Sequence, residues 1–353
     1  METITTNEVV DGDVILYHGN SLISSLIRLF DGTEVNHAGI YLGHDQVGEA
    51  MAKGLTRENI ADSIKGSEYV IVQRLKAYPD TMKPVIDKAG YYLEIGNKYA
   101  YEQILLLAFL GLARKLPVNA YLKWLLRKIL DQAADLLTSH GDKQPMICSE
   151  FVYRCYDEAL PGTYDPYSLE IERFPAAIRK EGTRTRSLSK SAQYKNIQRD
   201  SLLAWAGDVM SNRSKFASSV LLSSLEEGTT RKMEKSALAD ADEKKLSAMS
   251  LDNLIKSYIK ETRKPASRSL EAQSSLRSPE MLGSIKKFSE ALYSVTKPPK
   301  SRVTKSWSAK GAQKQIPTTL DHLFKTVADF VTPGDLYTKC DNLYSVGMIV
   351  ARA

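Results

Sequence analysis

Asn36-His37-Ala38-Gly39-Ile40-Tyr41-Leu42-Gly43, continued by Val47-Gly48-Glu49-Ala50-Met51 and answered a hundred residues later by Met146-Ile147-Cys148-Ser149-Glu150-Phe151-Val152, decides the reading of this chain. His37 to Leu42 is short, small and apolar, as a buried strand is, and Gly43-His44-Asp45 is a turn that returns the chain into Val47 to Met51. Asp13-Val14-Ile15-Leu16-Tyr17 predicts a further strand. If Leu42 pairs with Gln46 across a three-residue loop, Glu49 falls opposite Gly39 and diagonal to His37, on the same face. Diagonal neighbours lie ~7–8 Å apart at Cβ, within reach of a glutamate, and Gly39 places no side chain in the way. Such a carboxylate would fix the imidazole tautomer and stabilise its charged form.

The cysteine reads as the other half of this arrangement. Pro145 bars a helix from extending backwards, whereas Ser149 to Leu160 carries apolar residues at helical spacing and stops at Pro161-Gly162. Cys148 therefore falls at or just before a first helical turn. A free thiol titrates near pH ~8.5, and a helix N-terminus with an imidazolium beside it lowers that by roughly one to several units. Cys155, seven residues on and about 10 Å along the axis, is too far for a disulfide and reads as packing.

These segments together resemble the circularly permuted NlpC-type papain-like cysteine hydrolases, the YiiX/YebB-like group, in which the histidine precedes the cysteine. The resemblance also takes in Gly12-Asp13-Val14-Ile15-Leu16, Gly54-Leu55-Thr56-Arg57-Glu58 leading to the strand Tyr69 to Arg74, and Thr332-Pro333-Gly334-Asp335-Leu336-Tyr337. It spans residues ~10 to 170 and ~315 to 350. It implies Cys148 as nucleophile, His37 as base and Glu49 as orienting residue; Tyr17 and Ser149 are candidate substrate contacts, and no metal or other cofactor is expected. Many peptidoglycan-cleaving relatives resemble one another in an aspartate directly before the cysteine; here Ile147 stands there, so recognition of a peptide-stem amine is not implied. Cys148-Ser149-Glu150-Phe151-Val152 is also similar to the lecithin:retinol acyltransferase-like group, whose chemistry is thioester-mediated acyl transfer. Amide and ester cleavage share an acyl-enzyme step, so the triad alone does not choose between them.

Other histidines read as surface or structural: His140 in a polar loop, His44 in a turn, His322 on a helix starting near Thr319, and His18 at the end of the first strand, where it is a candidate cleft residue. No Cys-x-x-Cys, His-Glu-x-x-His, EF-hand or glycine-rich phosphate loop occurs. Three cysteines in 353 residues argue for a reduced compartment over a disulfide framework. Met1 to Asn7 has neither a basic n-region nor an apolar core. The expected location is the cytoplasm, or outside it by a route without an ordinary signal peptide.

Ile104 to Ala113 and Tyr121 to Leu137 are the strongest apolar stretches, and each falls short of the ~18–20 apolar residues a bilayer span requires. They are expected to cover the sheet, with an acyl-chain wall or a basic face on anionic lipid as the functional alternatives. From 181 to 310 the chain holds 25 Lys and Arg against 14 Asp and Glu, a net of +11, while the remainder nets −5. Serine is frequent there, yet helices remain legible around Leu202, over Leu251 to Ile259, and from Pro279 to Tyr293. The expected organisation is an α+β, permuted papain-like catalytic domain of residues 1–180, completed by 315–353. A basic, Ser/Lys-rich helical insertion, 181–314, interrupts it. The expected partners are an amide- or acyl-containing substrate and, through the insertion, an anionic membrane surface or a protein. Sparse aromatics among the basic residues argue against nucleic acid. The function so read is a cysteine hydrolase of an amide or peptide-like bond. A thioesterase, lipid acyl hydrolase or acyltransferase is the first alternative, and a non-enzymatic binding protein acting through the basic insertion the second.

Overall fold

Each stretch expected to be a strand forms one. The computed structural model describes residues 1–51, 54–95, 102–139, 146–160, 165–171, 197–198, 200–211, 243–264, 276–296 and 319–351. Six strands, β1 (Val14–Gly19), β2 (His37–Gly43), β3 (Gln46–Met51), β4 (Gly54–Asn59), β5 (Ser67–Leu75) and β6 (Leu343–Val350), make one antiparallel sheet in the order β4-β3-β2-β1-β5-β6. The last strand of the chain thus docks beside β5, some 270 residues upstream, so the two ends of the sequence complete one sheet.

The hairpin between β2 and β3 differs from expectation by one residue. Gly43 pairs with Gln46 across the two-residue loop His44-Asp45, whose φ values are 52° and 57°. Two consecutive left-handed residues suit the twist of a tight hairpin. An irregularity at Leu42 absorbs the difference, so Tyr41 pairs with Val47 and Gly39 with Glu49, the register expected from sequence.

Alternation along the strands divides the core. Val14, Leu16, Ala38, Ile40, Ala50 and Ile71 line one face, under α3 (Lys83–Ile95) and α6 (Cys148–Asp157). Ile15, Tyr17, Tyr41, Val47, Val70 and Val72 line the other, covered by Ile4, Val9 and the residues Ile60 and Ile64 around the short α2 (Ile60–Ser63). Both faces are dry, which explains why β1, β2 and β5 read as continuous apolar runs.

A third apolar cluster lies among helices. It joins α1 (Leu22–Asp31), α4 (Glu102–Ala113), α5 (Leu122–Ser139), α7 (Leu202–Ser211), α8 (Leu251–Thr262), α9 (Pro279–Thr296) and α10 (Thr319–Asp329). Helix α1 places Leu22, Ile23, Leu26, Ile27 and Phe30 on one stripe, is capped by Ser21, whose hydroxyl accepts from the Ser24 N–H, and ends at Gly32. Here the structure departs from the expectation that α4 and α5 cover the sheet. They pack instead on α1, α7, α8 and α9, and α4 is apolar all round because neighbours enclose it. The boundary expected near residue 180 falls outside the described residues, while Leu203, Leu254, Ile255, Met281, Ile285 and Phe288 share this cluster with α4 and α5. A short α11 (Pro333–Thr338) precedes β6. No helix among the described residues is long and apolar enough to cross a membrane.

Candidate active site

His37 opens β2 opposite Tyr17, the last rung of the β1–β2 ladder. Asn36 holds that rung: its Oδ1 accepts the Gly19 N–H at 2.7 Å and its Nδ2 donates to Ser24 Oγ at 3.1 Å. Glu49, two strands from β1, reaches the imidazole, and its Oε2 lies 2.9 Å from His37 Nε2. Both side chains are buried, so water does little to screen the pair. Gly39, between them on the same face, has no room for a side chain. A Cβ there would stand 2.9 Å from Val47 Cγ1 and 3.2 Å from Tyr17 Oη.

Tyr17 closes the other side of the imidazole, with ring centroids 4.9 Å apart and its hydroxyl 2.5 Å from Ser63 Oγ. Burial holds its phenol well above the ordinary range; the charges of Glu49 and Cys148 push the same way, and His37 and the Ser63 bond oppose them. The phenol is therefore a neutral group that feels all three of Cys148, His37 and Glu49. Ser63 carried no sequence signal, because it lies on a four-residue helix between β4 and β5 and meets Tyr17 only through the fold.

Cys148 is the first residue of α6 and is fully buried. Its helix begins without a side-chain cap from Ile147. Glu150, at the third position, supplies one instead: its carboxyl, pushed up by burial, is drawn back by Arg154 and by the Ile147 N–H. Arg154 Nη2 lies 2.7 Å from Glu150 Oε1. Phe151 is fully buried on the sheet side of the helix, where a Cβ on Gly48 would stand 3.4 Å from its Cζ.

Ser149 is also fully buried, and its hydroxyl donates to the Val331 carbonyl at 2.6 Å. That bond gives Ser149 a structural tie in place of the expected substrate contact. Cys155 is buried in the sheet-facing cluster and its thiol is raised far above its ordinary value by burial, as packing requires. No disulfide joins Cys148, Cys155 and Cys340. His18 stacks on Tyr69 at 4.5 Å and lies 3.7 Å from Glu68, on the face opposite Tyr17 and His37, so it does not join their cluster. His322 Nε2 is 2.5 Å from Thr296 Oγ1, between two helices of the apolar cluster. His140 lies outside the described residues. Among the described residues no three His, Cys, Asp or Glu side chains converge as a metal site.

With this geometry in place, known proteins give a direction. No family model matches the chain. Over 165 residues, 45% of this chain and 59% of the other, it is 26% identical to the probable lipoprotein peptidase YaeF of Escherichia coli K12. The chain is similar to a probable peptidase. The matched part spans about three fifths of that relative's length. A solved structure titled metalloprotein YiiX, from Escherichia coli O157:H7, aligns over 42% of this chain and 66% of its own, with 20% identity and a TM-score of 0.28.

Proposed function

We propose that the chain is a cysteine hydrolase of permuted papain-like type that cleaves an amide or peptide-like bond through an acyl-enzyme formed on Cys148. The observation that carries this reading is the buried His37–Glu49 bond, made beneath a neutral Tyr17 phenol that also feels Cys148 at the head of a helix. Glu49 engages Nε2, so Nδ1 is the nitrogen that exchanges a proton with the thiol. Glu49 also stabilises the imidazolium formed when the proton arrives. The thiolate attacks the carbonyl carbon, and the backbone N–H of Cys148, in a helical turn whose N–H groups lack intrahelical partners, helps to hold the oxyanion. His37 then protonates the leaving amine, and water, deprotonated by the same nitrogen, releases the acid and restores the thiol. Tyr17 walls the imidazole and keeps it in the plane that serves both partners. Similarity to a probable peptidase favours an amide over an ester as the substrate bond.

Iodoacetamide labelling followed across pH tests the reading. Cys148 should label at neutral pH faster than Cys155 and Cys340, and Cys148→Ala should abolish turnover of peptide and acyl substrates while leaving the circular dichroism spectrum unchanged. Full turnover by folded Cys148→Ala protein would end it. A wild-type preference for thioesters or esters over amides would move the assignment to the acyl-transfer class.

A further inference from the structure

One set of buried ionic groups outside the site gathers at the turn Val331-Thr332-Pro333-Gly334-Asp335 that enters α11. Three elements converge on it. The last residue of α1, Asp31, accepts the Gly334 N–H at 3.0 Å through Oδ2 and faces Arg114, just past α4, at 3.2 Å through Oδ1. Arg114 lies 4.0 Å from Asp335, whose other close cation is Lys339 at 2.6 Å. Thr332 and Asp335 cap each other, the Thr332 hydroxyl accepting the Asp335 N–H at 3.0 Å and the Asp335 carboxylate accepting the Thr332 N–H at 3.1 Å. The third element is α6, whose Ser149 donates to the carbonyl of Val331.

The turn also has no slack. A Cβ on Gly334 would stand 2.5 Å from the Asp31 carboxylate and 2.6 Å from Thr33, so only glycine lets the backbone lie this close to the end of α1. Asp31 and Arg114 are side chains of the helical cluster's ends; Ser149 is the neighbour of the nucleophile. A buried ion pair is a weak source of net stability but holds its partners in one geometry, since losing either member leaves an uncompensated charge.

Building on the hydrolase reading, we infer that the Asp31–Arg114–Asp335 node and the Ser149 hydroxyl form a positioning device. They fix the turn at Val331 and thereby set where the first turn of α6 presents Cys148. Ser149, Gly334 and Arg114 touch no reacting atom; they act through the placement of the thiol. The device also links the ends of α1 and α4 to the neighbour of the nucleophile, because Asp31, Arg114 and Ser149 all meet at this turn.

The test is the pH dependence of iodoacetamide alkylation at Cys148 in the full chain. Ser149→Ala and Gly334→Ala should lower the rate at neutral pH by about tenfold, which corresponds to a thiol displaced upward by roughly one unit. Ser149→Thr, which keeps the hydroxyl, should restore most of it. Arg114→Gln should shift the profile in the same direction. A melting temperature measured on each variant separates placement from unfolding. If Ser149→Ala and Gly334→Ala fold and keep the wild-type profile, or if they lose stability with no change in profile, the node is structural only and the inference fails. His37→Ala decides the parent reading separately. A wild-type thiol without enhanced neutral reactivity, and indifferent to His37→Ala, would remove that reading whatever Ser149 does.

Discussion

Gly39, His37 and Glu49 show how much chemistry one bare position can permit. Glu49 reaches His37 across the diagonal beside Gly39, where Val47 and Tyr17 leave no room for a side chain. Gly39→Ala should therefore displace Tyr17 or Val47 and slow alkylation of Cys148 with little change in secondary structure; rate against pH and near-ultraviolet dichroism would check this. On the proposed triad, in which the His37 imidazolium favours thiolate, His37→Ala should suppress labelling at neutral pH and let it recover only toward the free-thiol range near pH ~8.5. Glu49→Gln keeps a side chain able to bond Nε2 but removes its charge. Its turnover should fall less than in His37→Ala, with the thiol displaced upward; an unchanged pH profile would confine Glu49 to packing.

At the scale of elements, α6 owes its place to Phe151, which lies under the sheet next to Gly48 and against Tyr92 of α3. Phe151→Ala should cost about 3–5 kcal/mol in chemical denaturation, because a fully buried aromatic side chain is lost and leaves a cavity. A second contact ties β5 and α11 to the loop before β2. Glu34 accepts the phenols of Tyr337 at 2.5 Å and Tyr69 at 2.7 Å, and these bonds, Tyr337 first, hold its carboxyl below the ordinary range. The folded-state value lies under the unfolded one. The stability it adds is therefore present above the unfolded carboxyl value and is lost as pH falls through the folded value. Glu34→Gln should flatten the acid limb of the stability profile over that window, most visibly in low salt because the group is largely exposed.

For the whole molecule, the helical cluster is the deciding feature. Lys123 of α5 is held by Glu243 at 2.9 Å and Glu280 at 3.6 Å, and Arg127 lies over the Trp124 ring, so two of the cations of α5 turn toward the protein. Residues 181–314 remain our proposal for a basic insertion that docks an anionic surface or a protein partner. Nicking with trypsin at low dose should cut between the described helices and leave the fragments associated through the shared cluster. Excision of 181–314 should strip α4 and α5 of Leu203, Leu254, Ile285 and Phe288, and the remainder should lose cooperative unfolding. A remainder that melts cooperatively and still labels at Cys148 would show two independent units.

Sequence alone determined the local features. The apolar strands, the β2–β3 register that sets Glu49 against Gly39, the start of the Cys148 helix behind Pro145, and the basic charge of 181–310 follow from alternation, proline sterics and composition, all of which act over a few residues or simple counts. Tertiary structure decided the rest. No local pattern places β6 beside β5, seats Ser63 on Tyr17, hands the Ser149 hydroxyl to Val331, or joins Asp31 to Arg114 and Gly334. These contacts join residues 46 to 303 positions apart, and α4, apolar on every side, carries no periodicity that says which neighbours will enclose it. Short-range sterics and periodicity are written residue by residue; the pairing of distant surfaces depends on the burial of the whole chain at once.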